Sequence, residues 1–228
     1  MAESKIILDL ANSTADTITA LKRAKVLFGQ LGRQELNQWV ANELTGYPDD
    51  AELPDYRIVE GYPIVSYTRG SLSSYTKYTN LPLSLGKMPD DMQKSIRSVE
   101  LRDGIAALRV LADSTNDIAK TIPAEIYPAI AKYNNDPFMM VYSAQTIVSK
   151  QLIQNVFSTI ENRLLDALIL LEKEFGSLDN LDIDTTTKTP DEIERIEQSV
   201  YVMIFNDNSV TIGNNNRFKN TDINTHGE

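Results

Sequence analysis

The sequence predicts a mainly α, α+β protein: a helical domain with a long C-terminal helix and a small antiparallel β insert, followed by a short β-rich C-terminal tail. Three observations predict it. Apolar residues recur at steps of three and four near both ends of the first 175 residues. Short β-branched and aromatic runs, separated by Gly and Pro, interrupt that pattern near residues 56–80. Past residue 198 the chain turns apolar at consecutive positions and then rich in Asn.

From Ser4 to about Leu31 the stripe Ile7, Leu10, Ala11, Thr14, Ile18, Leu21, Ala24 and Phe28 predicts one long amphipathic helix or two. Gly32 is the expected stop. Gln34 to Thr45 repeats the pattern with Leu36, Trp39, Val40 and Leu44 before Gly46, giving a helical hairpin. Pro48-Asp49-Asp50 and Leu53-Pro54-Asp55 forbid helix and predict turns, because proline fixes φ and Asp accepts local backbone hydrogen bonds. Tyr56 to Val59, Ile64 to Thr68 and Tyr75 to Tyr78 then predict two or three short antiparallel strands.

Helices are expected over roughly Asp90 to Val99, Leu101 to Ser114 and Ala124 to Tyr133, with Pro128 counting against the last. Ile153, Phe157, Ile160, Leu164, Leu168, Leu171 and Phe175 step by three or four and predict a helix of about nine turns from near Ser143 to Phe175, closed by Gly176. That closes an expected domain at residues 1–176. Residues 177–198 read as a polar linker and a short acidic helix, and residues 199–228 as a β-strand tail.

Composition excludes several chemistries. The chain has no cysteine, so thiolate nucleophiles, disulfides and thiolate metal sites are absent. Its one histidine, His226, lies in a polar stretch near the end, an unsuitable place for Ser-His-Asp or imidazole acid/base work. No catalytic residues, cofactor or metal are expected. The acidic groups Asp49, Asp50, Glu52 and Asp55, and Asp179, Asp182 and Asp184, read as solvated turn charges. Phosphate-cradling glycine motifs are missing. A net charge of −10 opposes nonspecific binding to nucleic acid or anionic membranes, and Lys22-Arg23-Lys25 reads first as a solvated helix face. No run of about 18 apolar residues or secretory leader is seen, so a cytoplasmic location is expected.

The tail has the sharpest physical problem. Two short strands cannot cover both faces of Val200 to Phe205 unaided. Docking on the helical domain is one solution. The favoured one is homo-oligomerisation, with Val200, Val202, Ile204, Phe205, Val210, Ile212, Asn214, Asn216 and Phe218 forming intermolecular β-structure. The tyrosines Tyr56, Tyr62, Tyr67, Tyr75 and Tyr78, near Arg57, Arg69 and Lys77, either fill a small sheet or offer a stacking or protein-contact surface. Arg163 either pairs with Asp166 on its own helix or is buried against Glu43 or Tyr56.

Leu27, Leu31-Gly32, Trp39, Glu43-Leu44, Gly46-Tyr47-Pro48, Leu53-Pro54, Tyr56-Arg57, Leu81-Pro82-Leu83 and Arg163, Leu164, Leu165, Leu168, Leu170 and Glu172 together resemble the AbiTii domain family. The resemblance spans most of residues 1–175. It implies a prokaryotic or phage-linked component of abortive infection, in which an infected cell is sacrificed or arrested, and it supplies no catalytic residues. Candidate binding residues are Trp39, Glu43, Tyr47, Tyr56, Arg57 and Arg163. The leading expectation is a non-enzymatic, self-assembling defence component. The alternatives are an enzyme or toxin acting on nucleic acid or nucleotides through Arg57, Arg163, Tyr56, Glu43 and a metal carboxylate, and a sensor or antitoxin-like protein that binds a phage or effector protein through the Tyr-rich insert.

Overall fold

The structure, a computed structural model, describes residues 4–205 apart from 15, 72, 116 and 117. The first stripe breaks into α1 (Lys5–Ala11) and α2 (Thr17–Leu31), and α3 (Gln34–Thr45) completes the hairpin. Thr17, Ala20, Leu21, Ala24, Leu27, Phe28 and Leu31 form the buried face of α2, the three-and-four spacing expected of a helix with one side in a core. Lys22 and Lys25 lie on its exposed side.

A 3-10 turn at Asp55–Arg57 leads to β1 (Ile58–Glu60), followed by β2 (Tyr62–Ser71) and β3 (Ser74–Pro82). Next come α4 (Asp90–Arg97), β4 (Ser98–Glu100), α5 (Ile105–Asp113), β5 (Ile118–Thr121), a 3-10 turn at Ala124–Ile126 and α6 (Tyr127–Tyr133). Pro128 falls in the first turn of α6, where its missing N–H costs nothing. β6 (Met139–Val148) and α7 (Lys150–Phe175) follow, and α8 (Pro190–Phe205) ends the described chain.

The strands make two antiparallel sheets. β1 pairs with β4, and a four-stranded sheet has the order β3-β2-β6-β5. The expected small insert is therefore larger than its own segment, because β5 and β6, which start at Ile118 and Met139, join it from well beyond the end of β3 at Pro82. Two cores result. The larger gathers α1, α2, α3, α5, α7 and α8 around Phe28, Leu36, Ile105, Ile160, Leu164 and Leu168. The smaller, made by Val65, Leu83, Leu85, Met88, Ile96, Ile122, Ile130 and Ala144, fills one side of the large sheet.

Three expectations need correction. The long helix was expected from near Ser143, yet residues 139–148 are the strand β6, paired with β2 on one side and β5 on the other. Tyr142, Thr146, Ile147 and Val148 suit a pleated surface, and the chain switches to helix only after Ser149, whose backbone is still extended. Two neighbouring strands stabilise an extended segment that local periodicity assigned to helix.

The stretch 177–189 was expected to be a flexible linker. Instead Leu178 and Ile183 are buried in the larger core. Ser4 Oγ accepts Leu178 N–H at 2.8 Å, while Gln30 accepts Ile183 N–H at 2.8 Å and donates to Leu181 O at 2.8 Å. Glu172 accepts from both the backbone N–H and the hydroxyl of Ser4, so the end of α7 and this stretch grip the start of α1.

The acidic helix was expected to end near Gln198 and give way to a strand. It continues to Phe205, with Ile196, Val200 and Ile204 buried at four-residue steps. Val200 to Phe205 is apolar enough for a strand to hide either face, but a helix propagating from Pro190 buries one stripe against α7 at no nucleation cost. Val200 and Ile204 are fully buried within their own chain, whereas Val202 and Phe205 are half-buried on the same helix. Val210, Ile212, Asn214, Asn216, Phe218 and His226 lie outside the described residues.

Truncating a buried isoleucine removes its transfer energy and leaves a cavity, so Ile204→Ala should lower stability by about 2–5 kcal/mol in urea denaturation at concentrations low enough to prevent association. A strand reserved for intermolecular pairing would show almost no loss in that measurement.

Candidate functional site

The six candidate residues meet in one cluster, buried except at Tyr56, which is half-buried. α3 places Trp39 and Glu43 one above the other, four residues apart on the face turned to the core. Gly46 ends the helix at φ 103°, a conformation that a side chain resists, and so swings Tyr47 back over the last turn. A Cβ on Gly46 would sit 3.0 Å from Arg102 O, and one on Gly104 only 2.6 Å from Leu44 O. These two glycines let the end of α3 lie directly on the 102–104 backbone, where Tyr47 N–H donates to Arg102 O at 2.8 Å. The 3-10 turn delivers Tyr56 and Arg57, and α7 delivers Arg163.

Glu43 is the hub. One carboxylate oxygen accepts the hydroxyls of Tyr47 and Tyr56, each at 2.6 Å, and the other meets the Arg57 guanidinium. Trp39 Nε1 donates to the Tyr56 hydroxyl at 2.8 Å, so that oxygen both donates and accepts. The second terminal nitrogen of Arg57 donates to Leu101 O at 3.0 Å and Asp103 O at 2.7 Å, and Arg57 Nε lacks a hydrogen-bond partner. Arg163 lies 4.5 Å over the Tyr56 ring and donates to Ile204 O near the end of the described part of α8. The pairing of Arg163 with Asp166 gives way to burial against Tyr56, one of the two readings open in the sequence.

Glu43 and Arg57 have no solvent exposure. Such charges are tolerable only when paired and hydrogen-bonded, as they are here. Burial, reinforced by the Glu43 charge, pushes the hydroxyl pKa of Tyr47 and of Tyr56 far above the ordinary tyrosine value. Both stay neutral donors. Chemically the cluster can hold three chain segments in register, with Glu43 and Arg57 closed off from solvent.

The other candidates are scattered. Tyr67 and Tyr78 stack across β2 and β3 with centroids 4.8 Å apart, next to the smaller core, whereas Tyr62 and Tyr75 are exposed. Arg69 pairs with Asp136 at 3.1 Å, and Lys77 lies 5.1 Å over Tyr142. Among the described residues no group of three or more acidic or His side chains is placed to hold a metal ion. Asp179 and Asp184 instead accept from the backbone N–H groups of Lys5 and Thr186. No helix of the described residues is long and apolar enough to cross a membrane.

Two participants escaped the sequence reading. The carbonyls of Leu101 and Asp103 anchor Arg57, but backbone acceptors leave no side-chain signature. Exposed Met140 and Tyr142 sit on β6, which periodicity had assigned mostly to loop and helix.

Compared with known proteins, residues 4–196 match the family model described as AbiTii, a span that includes all six clustered residues. No curated protein and no solved structure gives a match.

Removing one partner of a buried pair strands the other charge, so Glu43→Gln should lower stability by about 3–5 kcal/mol in urea denaturation. Glu43→Leu combined with Arg57→Met should recover most of that loss. The tyrosines add a pH dependence. In the unfolded chain they lose their protons near 10.0, while in the fold they keep them, so the stabilisation is complete below pH 10 and is lost as pH rises beyond it. The Tyr47→Phe/Tyr56→Phe variant should show a shallower fall in stability above pH 10 than the parent.

Proposed function

The chain belongs to the AbiTii family, which suggests a role in abortive-infection phage defence, and we propose that within this role it acts by association and not by turnover. The observation that supports this reading is the fate of the residues best equipped for chemistry. Glu43, Arg57, Tyr47, Tyr56 and Trp39 are committed to one another in the interior, with Arg163 stacked against them. An enzyme acting through Arg57, Arg163, Tyr56 and Glu43 would have to open the main polar junction of its own fold before a substrate reached them.

In this proposal the described helical body is a carrier and the segment after α8 is the assembly element. α8 uses Val200 and Ile204 to cover its own core, so self-association passes to residues 206–228, where Val210, Ile212, Phe218 and the Asn run lie. Short apolar β-branched stretches beside Asn repeats suit stacking between identical chains. A second reading, a sensor for a phage or effector protein, is favoured by exposed Phe138, Met140 and Tyr142 around the large sheet.

Light scattering on the full chain and on a chain ending at Phe205 tests the leading reading. The full chain should form the larger particle, and removal of the segment should abolish phage protection in infected cells without lowering the thermal stability of the body. Equal particle masses would overturn the assembly proposal. Turnover of RNA, DNA or nucleotides with magnesium or manganese, lost in folded Arg57→Lys, would overturn the non-enzymatic one.

A further inference from the structure

Among the described residues, strand β3 is an open edge of the four-stranded sheet. It is nine residues long and exposed along its whole length except at Tyr78, which is half-buried. Proteins guard such edges by keeping them short, or with charges, prolines and bulges, because unpaired N–H and C=O groups template another strand. The opposite edge, β5, is guarded by being only four residues long. On β3 the register irregularity lies opposite residues 65–67 and Pro82 is at the far end, which leaves Ser74 to Tyr78 regular and guarded by Lys77 alone.

Two further features mark this edge. Lys77 faces Thr68, and Thr68 faces Met140, so Lys77, Met140 and, by strand alternation, Tyr75 share the outer face of the sheet. Tyr75 is 61% exposed and Met140 59%, an apolar surface on a face that antiparallel sheets normally give to polar residues. Residues 62–82 contain Arg69 and Lys77 but no carboxylate, in a chain of net charge −10, and Asp136 already balances Arg69. Two acidic copies meet less repulsion here than across an average part of their surface.

We propose that β3 pairs with β3 of a second copy, antiparallel about a two-fold axis through Thr76, joining the two sheets into one of eight strands. In that register Tyr75 of each copy lies opposite Lys77 of the other, so each ammonium faces an aromatic ring, the contact that Lys77 already makes with Tyr142 within one chain. Tyr78, stacked on Tyr67, lies opposite the small Ser74. A register centred on Lys77 would set the two lysines directly opposite, which is destabilising. The interface is isologous and separate from residues 206–228, so it stands or falls independently of the assembly proposal above.

The absence of cysteine makes the register measurable. Residues directly opposite in an antiparallel pair have Cα atoms about 4.5–5.5 Å apart, within the range that a disulfide spans. Under mild oxidation of the full chain, Thr76→Cys should form a covalent dimer about ten times faster than Val110→Cys, an exposed control on α5, reflecting a raised local concentration. Ser74→Cys should cross-link with Tyr78→Cys in a mixture, and each should cross-link poorly with itself. Lys77→Cys outrunning Thr76→Cys would overturn the register. Rates at positions 74–78 no faster than the control would overturn the pairing.

Discussion

The ion pair between Glu43 and Arg57 is the constraint around which the larger core is arranged. Neither side chain is exposed, so each had to find every hydrogen bond it could from its neighbours. Glu43 takes two tyrosine hydroxyls besides the arginine, and Arg57 takes two carbonyls from the segment between β4 and α5. The end of α3, the 3-10 turn and the 101–103 backbone are thereby held in one mutual geometry. A buried pair contributes little net stability compared with well-packed apolar residues, yet it tolerates few arrangements. Its effect is to specify which segments meet.

From that junction the rest of the helical body follows. Arg163 extends the polar cluster to α7 through the Tyr56 ring and to α8 through Ile204 O. The long helix therefore contributes a cation where its stripe would otherwise be apolar, and α8 closes over the same region with Ile196, Val200 and Ile204. At the opposite end Glu172, Ser4 and Gln30 bind the chain after α7 to α1 and α2 with donors and acceptors, so that stretch contributes to the core despite its polar composition. In both places the buried polar groups join segments distant in sequence.

This arrangement bears on function through what it leaves free. Glu43, Arg57, Tyr47 and Trp39 are occupied inside, while exposed Tyr75, Phe138, Met140 and Tyr142 are among the apolar groups left at the surface, around the four-stranded sheet. Membership of the AbiTii family suggests a role in abortive-infection phage defence.

By itself the sequence determined the elements whose signal is local. The apolar stripes of α2 and α3, the stops at Gly32 and Gly46, the body of α7 and the hairpin of β2 and β3 were legible because spacing, caps and turn residues lie within a few positions of one another. The residues of the buried cluster were legible too, through their combination in order, though not their burial. Tertiary structure alone decided the states of β6, residues 177–189 and residues 199–205. Each has a composition compatible with two conformations, and the choice fell to partners far along the chain: β2 and β5 for the strand, Ser4 and Gln30 for the supposed linker, α7 for the last helix. Burial of Glu43 and Arg57 was decided in the same way, because charge is a property of a residue whereas access to water is a property of everything packed around it.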